Sequence, residues 1–213
     1  GAKVDWDESS KTVTIMTASL QTTTILDQEQ KLKALPQGEY ILKSEEFLST
    51  LFTLVGASYG QSKKVPVAGQ TFAQAIQVET KTQPESVYNL QLSTPVNTAI
   101  QKNDVLLATF YARTINAADE SGEAAVEFVF ELAQSPHTKI VTTQVSAPGE
   151  WKKFYIPFTA TTGFKKGTAH LSLRFGFKPQ VIEIGALEVI NYGQKVNLSD
   201  LPKTSLAYRG MEQ

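Results

Sequence analysis

The chain has 213 residues, of which 41% are hydrophobic and 19% charged, with a formal net charge of −1 and no cysteine. This length can bury a sizeable core, and it fits one large domain with extensions or two small domains. The near-neutral charge gives no electrostatic support for binding nucleic acid, and no stretch is apolar for long enough to span a bilayer. The lack of cysteine excludes disulfides and thiol catalysis.

The N-terminal region carries mixed signals. In residues 3–17, two short extended runs flank a serine pair, and polar and apolar residues alternate in the second run, which predicts a hairpin. This hairpin is either the first strand of the main domain or a segment that resembles the end of a copper amine oxidase-like stalk domain. Residues 22–26 suggest a strand. Residues 44–55 begin with a capping-type serine followed by apolar residues at helical spacing, which predicts the one short helix.

From residue 65 onward the pattern is that of β-strands. Eight short strands separated by turn residues, without alternating helices, predict an all-β fold, an antiparallel sandwich or jelly roll with at most one short helix. The tail over residues 196–213 has little periodicity, which predicts a linker or a docking strap. The predicted strands cover 73–80, 87–93, 105–114, 125–134, 138–145, 152–158, 169–177 and 180–190.

The strand over residues 105–114 organises the functional prediction. One of its faces is apolar, whereas the other ends in Tyr111 and Arg113. Extending the alternation to the other strands collects amides, carboxylates and arginines on one outer sheet face. Sugars need this mixture, because amides and guanidinium groups bind hydroxyls and aromatic rings cover the apolar side of a sugar ring. The predicted carbohydrate-binding residues are Gln77, Asn89, Gln91, Tyr111, Arg113, Glu131 and Arg174.

Each of these residues has an expected role. Tyr111 would stack on a sugar ring, the three amides would bind hydroxyl groups, and the two arginines would donate paired hydrogen bonds. Glu131 would accept hydrogen bonds or orient Arg113. The same pattern also fits an ordinary polar outer face of a sandwich.

Signals for catalysis are weak. The chain has no zinc-ligand spacing, nucleophile elbow or phosphate loop, and its two histidines, His137 and His170, lie in a turn and at a strand start. Glu127 and Glu131 share a strand face, but about 13 Å of strand separates them, which exceeds the usual spacing of glycosidase carboxylates. No catalytic residue is therefore predicted. A structural calcium ion is left open, because jelly-roll modules often hold one.

The motifs from about residue 65 to 210 also carry a family resemblance. They read VAGQTFAQAIQVET (67–80), YNLQL (88–92), IQKNDVLLATFYAR (100–113), FVFELAQSPHTK (128–139), EWKKFYIPF (150–158), QVIEIGALEVINYG (180–193) and LSDLPKTSLAYRGME (198–212). Together they resemble the non-catalytic β-sandwich that precedes the catalytic barrel in family-10 glycoside hydrolases, the endo-β-1,4-xylanases. That module is similar to carbohydrate-binding modules of families 4, 9 and 22, in the galactose-binding-like superfamily.

The resemblance implies a secreted or cell-surface module that binds xylan or a related β-glucan in a groove on a sheet face. It implies a monomer with a catalytic domain in cis, and three parts: an N-terminal extended segment (1–30), the β-sandwich (31–195) and a linker toward a missing catalytic domain (196–213). The related pattern often has tryptophan at the positions of Tyr88 and Tyr111. Families 4 and 22 usually have a calcium-binding aspartate in the final strand, where residues 184–187 offer none.

Two other functions remain open at this point. The chain would be a structural sandwich that packs on the catalytic domain without binding sugar, or a jelly-roll glycanase or polysaccharide lyase in its own right. The first is tested by polysaccharide retention, and the second by release of reducing sugar or of unsaturated uronate.

Overall fold

The computed structural model describes residues 3–7, 12–16, 18–48 and 52–204. These residues form the helices α1 (Ala18–Ala34) and α2 (Ser44–Phe47), and single 3-10 turns at Val87–Asn89 and Leu198–Asp200. The strands are β1 (Lys3–Asp7), β2 (Thr12–Met16), β3 (Glu39–Leu42), β4 (Thr53–Val55), β5 (Gly60–Pro66), β6 (Gln74–Thr80), β7 (Gln91–Val96), β8 (Val105–Ala117), β9 (Ala124–Leu132), β10 (Lys139–Ala147), β11 (Lys152–Thr159), β12 (Ala169–Arg174) and β13 (Gln180–Asn191).

Two antiparallel sheets form the sandwich. The five-stranded sheet has the order β10-β9-β12-β7-β4. The six-stranded sheet has the order β11-β8-β13-β6-β5, and β3 pairs with the end of β13. The prediction of an all-β antiparallel sandwich is therefore confirmed, and the strand over residues 105–114 is central, because β8 lies between β11 and β13.

The core lies between the two sheets and follows from period-2 alternation. The inner face of β8 is fully buried, with Leu106, Ala108, Phe110 and Ala112 all 0% exposed. Aromatic rings fill the space between the sheets, for example Phe110 stacked on Phe154 at 5.4 Å between ring centroids. Burial of each such ring contributes about 1.5–3 kcal/mol to folding.

The N-terminal half differs from the expectation in two places. Residues 22–26, expected as a strand, lie inside α1, and the predicted helix over residues 44–55 is only the single turn α2, followed by strand β4. Tertiary packing stabilises the C-terminal end of this helix, because Leu32 in its last turn and Leu35 directly after it pack against a buried cluster that includes Leu107 and Tyr155.

The predicted N-terminal hairpin is present, since β1 and β2 pair antiparallel in a two-stranded sheet of their own. Its predicted serine turn lies outside the described residues. Residue 30, the expected end of the N-terminal segment, lies inside α1. The division of the chain into three parts stays a prediction. No helix in the described part of the chain is long and apolar enough to cross a membrane.

Candidate functional site

The seven predicted binding residues do not share one sheet face. Alternation places each strand residue correctly on an outer face, but it does not show which strands belong to the same sheet. The single-face prediction is therefore wrong. Gln91, Glu131 and Arg174 lie on the five-stranded sheet, Gln77, Tyr111 and Arg113 lie on the six-stranded sheet, and Asn89 lies in the 3-10 turn before β7.

A buried ion-pair cluster occupies the outer face of the five-stranded sheet. Arg174 lies directly across from Gln91 on β7 and from Glu127 on β9. Its Nε donates to Gln91 Oε1 at 3.4 Å, its Nη1 to Glu127 Oε2 at 3.2 Å and its Nη2 to Glu131 Oε1 at 2.5 Å. Arg174 is 5% exposed. Glu131, predicted as the partner of Arg113, therefore orients Arg174 instead.

The guanidinium group lies over the middle of this sheet. Glu127 and Glu131 are four residues apart on β9, and one guanidinium contacts both, so it spans the positions of Val129 and Ser172 between them. Both of these outward-pointing residues are buried, at 0% and 1% exposure. Ser172 Oγ donates to Ser93 Oγ at 3.0 Å on β7. The result is a polar floor whose side chains are already held in place.

Tyr88 stands at one end of this floor. Tyr88 is 53% exposed, and the Arg174 Cζ lies 5.8 Å from its ring centroid, which is cation–π distance. Sequence alternation missed Tyr88 as a site residue because Val87–Asn89 forms a 3-10 turn and not the start of the predicted strand over residues 87–93. The signal that was available is an aromatic residue that precedes Gln91 within the matched YNLQL stretch.

A second polar cluster lies on the opposite side of the sandwich. Arg113 on β8 and Glu183 on β13 are direct partners in the strand register. Arg113 Nε donates to Glu183 Oε2 at 2.8 Å, and Gln77 Nε2 donates to Glu183 Oε1 at 2.9 Å. Glu183 is 4% exposed. The predicted residues Arg113 and Gln77 are therefore both bound to one buried carboxylate.

Three half-buried aromatic rings pack beside this second cluster. The Phe72 ring lies 5.0 Å from the Tyr111 ring and 5.1 Å from the Trp151 ring, and the Arg113 Cζ lies 4.8 Å from the Trp151 ring. Phe72 sits directly over Gly185, where a Cβ would collide with the ring. Tyr111 is thus half-buried against Phe72, and its role as a stacking surface for a sugar ring stays a prediction.

Helix α1 covers another part of the same outer face. Glu29 Oε1 accepts hydrogen bonds from Lys153 Nζ at 2.8 Å and from Tyr155 Oη at 2.6 Å. Burial alone would raise the pKa of Glu29, but the hydrogen bonds from Lys153 and Tyr155 outweigh burial and lower it. Burial, and next the contact with Glu29, raise the pKa of Tyr155. This face therefore serves to attach the N-terminal helix.

We expect the Glu29 contact to make stability depend on pH. Because folding lowers the pKa of Glu29 below its ordinary value of 4.5, the contact stabilises the folded chain above that pH. The stabilisation is lost as the pH falls through the lowered pKa. Glu29→Gln should therefore flatten the acid side of the stability profile, by no more than about 1 kcal/mol because the side chain is partly exposed. Urea unfolding at a series of pH values measures this change.

The matched control for that experiment is Asp27→Asn. Asp27 lies on the same helix, is 58% exposed and forms an ion pair with Lys31, whose Nζ lies 3.7 Å from Asp27 Oδ2. Its profile should stay close to that of the wild type. Parallel profiles for the wild type and Glu29→Gln between about pH 3 and 6 would contradict the assigned role of Glu29.

The described residues contain no group of three or more histidines and carboxylates that could hold a metal ion. At the place of the calcium-binding aspartate of families 4 and 22, Ile184 and Leu187 are buried in the core and Gly185 lies beneath Phe72. This stretch offers no side-chain oxygen, so it does not fit calcium binding in that way.

No protein-family model matches the chain, and no curated protein matches it. Solved structures do match it. A family 4 carbohydrate-binding module aligns with a TM-score of 0.51 at 10% identity, over 72% of this chain and 94% of that chain. The chain has the fold of carbohydrate-binding modules.

Two further structures of this fold are similar to the chain. The tandem CBM22-1–CBM22-2 domain of Xyn10C from Paenibacillus barcinonensis aligns with a TM-score of 0.51 at 14% identity, over 74% of this chain and 46% of that chain. The CBM22-1–GH10 modules of xylanase 10B from Clostridium thermocellum, complexed with xylohexaose, align with a TM-score of 0.50 at 12% identity, over 76% and 30%. The resemblance seen in the motifs is thus confirmed as a shared β-sandwich fold.

Proposed function

We propose that the chain is a non-catalytic carbohydrate-binding module that binds a plant-type polysaccharide, xylan or a related β-glucan. The observation that carries this proposal is the buried Arg174 cluster on the outer face of the five-stranded sheet. The opposite sheet also carries a buried charge, Glu183, but half-buried aromatic rings pack beside that cluster, whereas the Arg174 cluster lies beside the exposed Tyr88 and so offers a surface to a ligand. The fold shared with carbohydrate-binding modules supports a role in sugar binding.

The glycan would lie across the strands. Gln91, Arg174, Glu127 and Gln144 follow one another in register on β7, β12, β9 and β10. Three strand spacings make this path about 14 Å long, enough for more than one sugar ring. The carboxylate oxygens would accept hydrogen bonds from sugar hydroxyls, and the exposed Tyr88 ring would cover the apolar side of a sugar ring.

The predicted residues take different parts in this proposal. Gln91, Glu131 and Arg174 belong to the binding floor, and Asn89 stands beside Tyr88 at its edge. The polar cluster on the six-stranded sheet lies outside the proposed groove, because it packs with Phe72 and Trp151. The predicted residues on that side are Gln77, Tyr111 and Arg113.

The arrangement favours binding over catalysis. Among the described residues of this face, Glu127 and Glu131 are the only two carboxylates that meet at one point, and that point is the guanidinium group of Arg174. That guanidinium occupies the space between the carboxylates, where a glycosidase would hold the bond to be cleaved. We therefore assign the two glutamates to holding Arg174.

The module would work beside a catalytic domain of the same polypeptide, as a monomer outside the cell. One of the similar structures joins a module of this fold to a GH10 module. Binding to an insoluble polymer would raise the effective concentration of the attached hydrolase near its substrate.

Affinity electrophoresis tests the proposed function. The purified chain should be retarded in native gels that contain xylan or mixed-linkage β-glucan, relative to gels without polysaccharide. Arg113→Ala, on the opposite sheet, should be retarded as strongly as the wild type, whereas Glu127→Gln should be retarded less. Unchanged mobility of the wild type in xylan, β-glucan and mannan gels would refute the proposal. Release of reducing sugar by the isolated chain would favour the glycanase function instead.

A further inference from the structure

A pocket of about 220 Å³ opens beside the proposed binding floor. It is formed by the loop between β8 and β9, the loop between β12 and β13, and the ends of β9 and β10. Ala125 lines it and lies two residues before Glu127 on the same face of β9. Gln144 also lines it and lies directly opposite Glu127 in the register. The pocket is therefore continuous with the end of the binding path.

The wall of this pocket is held rigidly. The side chain of Gln180 is 5% exposed, donates to the Ala125 carbonyl at 2.7 Å and accepts from the Ala125 N–H at 2.8 Å. Both ends of the Gln180 amide are thus used by the protein. Lys178 Nζ lies 3.7 Å from Asp119 Oδ2 across the rim. Phe177 and Pro179 add apolar surface.

Three other polar side chains in the pocket are available to a ligand. Gln83 and Gln144 are exposed and Ser146 is half-buried, and within the described part of the chain their side chains make no hydrogen bond. At Arg174, in contrast, Nε, Nη1 and Nη2 each already donate to the protein. An amide both donates and accepts, as a sugar hydroxyl does. Three of the five guanidinium N–H groups of Arg174 are already used within the protein, so the pocket adds further donors and acceptors to the floor.

We propose that this pocket binds the terminal sugar unit of the same glycan, with Gln144 and Gln83 as its hydrogen-bond partners. This inference rests on the proposed function. A volume of about 220 Å³ is smaller than the pockets that hold drug-sized ligands, which fits a single ring. The pocket is lined by two carboxylates, Asp119 and Glu123, and by one lysine, Lys178. Because negative charge is in excess, the pocket takes a neutral sugar in preference to a negatively charged uronate.

Titration calorimetry with matched variants tests the pocket. The ligands are the disaccharide and the hexasaccharide of the polymer, xylose- or glucose-based, that retards the wild type. Gln144→Ala should weaken binding of the hexasaccharide about fivefold, and adding Gln83→Ala should weaken it further. Gln83→Ala should affect the disaccharide less than the hexasaccharide, because Gln83 lines the pocket but is not part of the floor, where the disaccharide can bind. Gln134→Ala is the control and should match the wild type. Gln134 is an exposed glutamine in the turn that joins β9 to β10, at the other end of these strands from Gln144.

Charge preference gives a second readout. A hexasaccharide that carries a glucuronic acid on its terminal unit should bind more weakly than the neutral one, and Glu123→Gln should reduce that difference. The variant that combines Gln83→Ala with Gln144→Ala could bind the neutral hexasaccharide as tightly as the wild type while Tyr88→Ala binds it more weakly. That result would overturn the pocket and leave the proposed function standing. A wild type that binds neither length would overturn both.

Discussion

Replacing Arg174 with alanine is expected to lower the free energy of unfolding by about 3–5 kcal/mol. The substitution leaves the carboxylates of Glu127 and Glu131 together on the sheet without their shared cation. Glu131 is itself only 8% exposed, so water cannot replace the lost hydrogen bond without rearrangement. Urea unfolding followed by circular dichroism measures the loss.

Arg113→Ala provides the matched control on the other sheet. Its side chain is 33% exposed, and the carboxylate of its ion-pair partner Glu183 keeps a hydrogen bond from Gln77. We expect this variant to lose about 1–2 kcal/mol. Equal losses in the two arginine variants would contradict the description of Arg174 as the buried centre of its sheet face.

A triple variant separates stability from binding. Combining Arg174→Met with Glu127→Gln and Glu131→Leu removes the charges together, which often restores much of the stability lost by breaking a buried ion pair. Polysaccharide retention should remain abolished in this variant. That outcome would show that the ion pairs serve binding. Retention by the triple variant would exclude the Arg174 cluster as the binding floor.

Tyr88→Ala is expected to weaken polysaccharide binding by about tenfold or more while leaving stability within about 0.5 kcal/mol of the wild type. Tyr88 is 53% exposed and belongs to neither buried hydrophobic cluster, so its removal costs the fold little. The same ring is the one exposed aromatic surface beside the Arg174 floor among the described residues. Titration calorimetry and urea unfolding on the same preparation test both parts.

Tyr111→Ala should show the reverse pattern. Its ring packs against Phe72 on the outer face of the six-stranded sheet, away from the proposed binding floor. We therefore expect a loss of about 1–2 kcal/mol in stability and no change in polysaccharide binding. Weaker binding by Tyr111→Ala with unchanged binding by Tyr88→Ala would move the site to the six-stranded sheet.

The sequence predicts the direction of side chains within a strand well, because alternation is a local property. It places Arg113 and Arg174 correctly on outer faces. It cannot show that the two faces are opposite, because sheet membership depends on pairing between strands far apart in the chain. Glu183 reaches Arg113 across 70 residues and Glu127 reaches Arg174 across 47. Each arginine therefore has a partner that no local pattern reveals.

Local patterns fail for a different reason at Tyr88 and in α1. Tyr88 belongs to a strand by propensity but lies in a 3-10 turn before β7, where it is 53% exposed. At the C-terminal end of α1, Leu32 and the following Leu35 pack against apolar residues of the six-stranded sheet. In both cases tertiary contacts override the local preference.

The backbone of Tyr155 has a consequence for how copies of this protein behave side by side. Strand β11 is an edge of the six-stranded sheet, and the Tyr155 N–H and C=O bond to Thr204 Oγ1 and N–H at 2.8 and 3.0 Å. The opposite edge, β5, carries Lys63 and Lys64 and ends in Pro66. Occupied backbone groups, lysines and proline all hinder the joining of sheets from separate molecules. Copies crowded along one polymer fibre would therefore resist aggregation through these two edges.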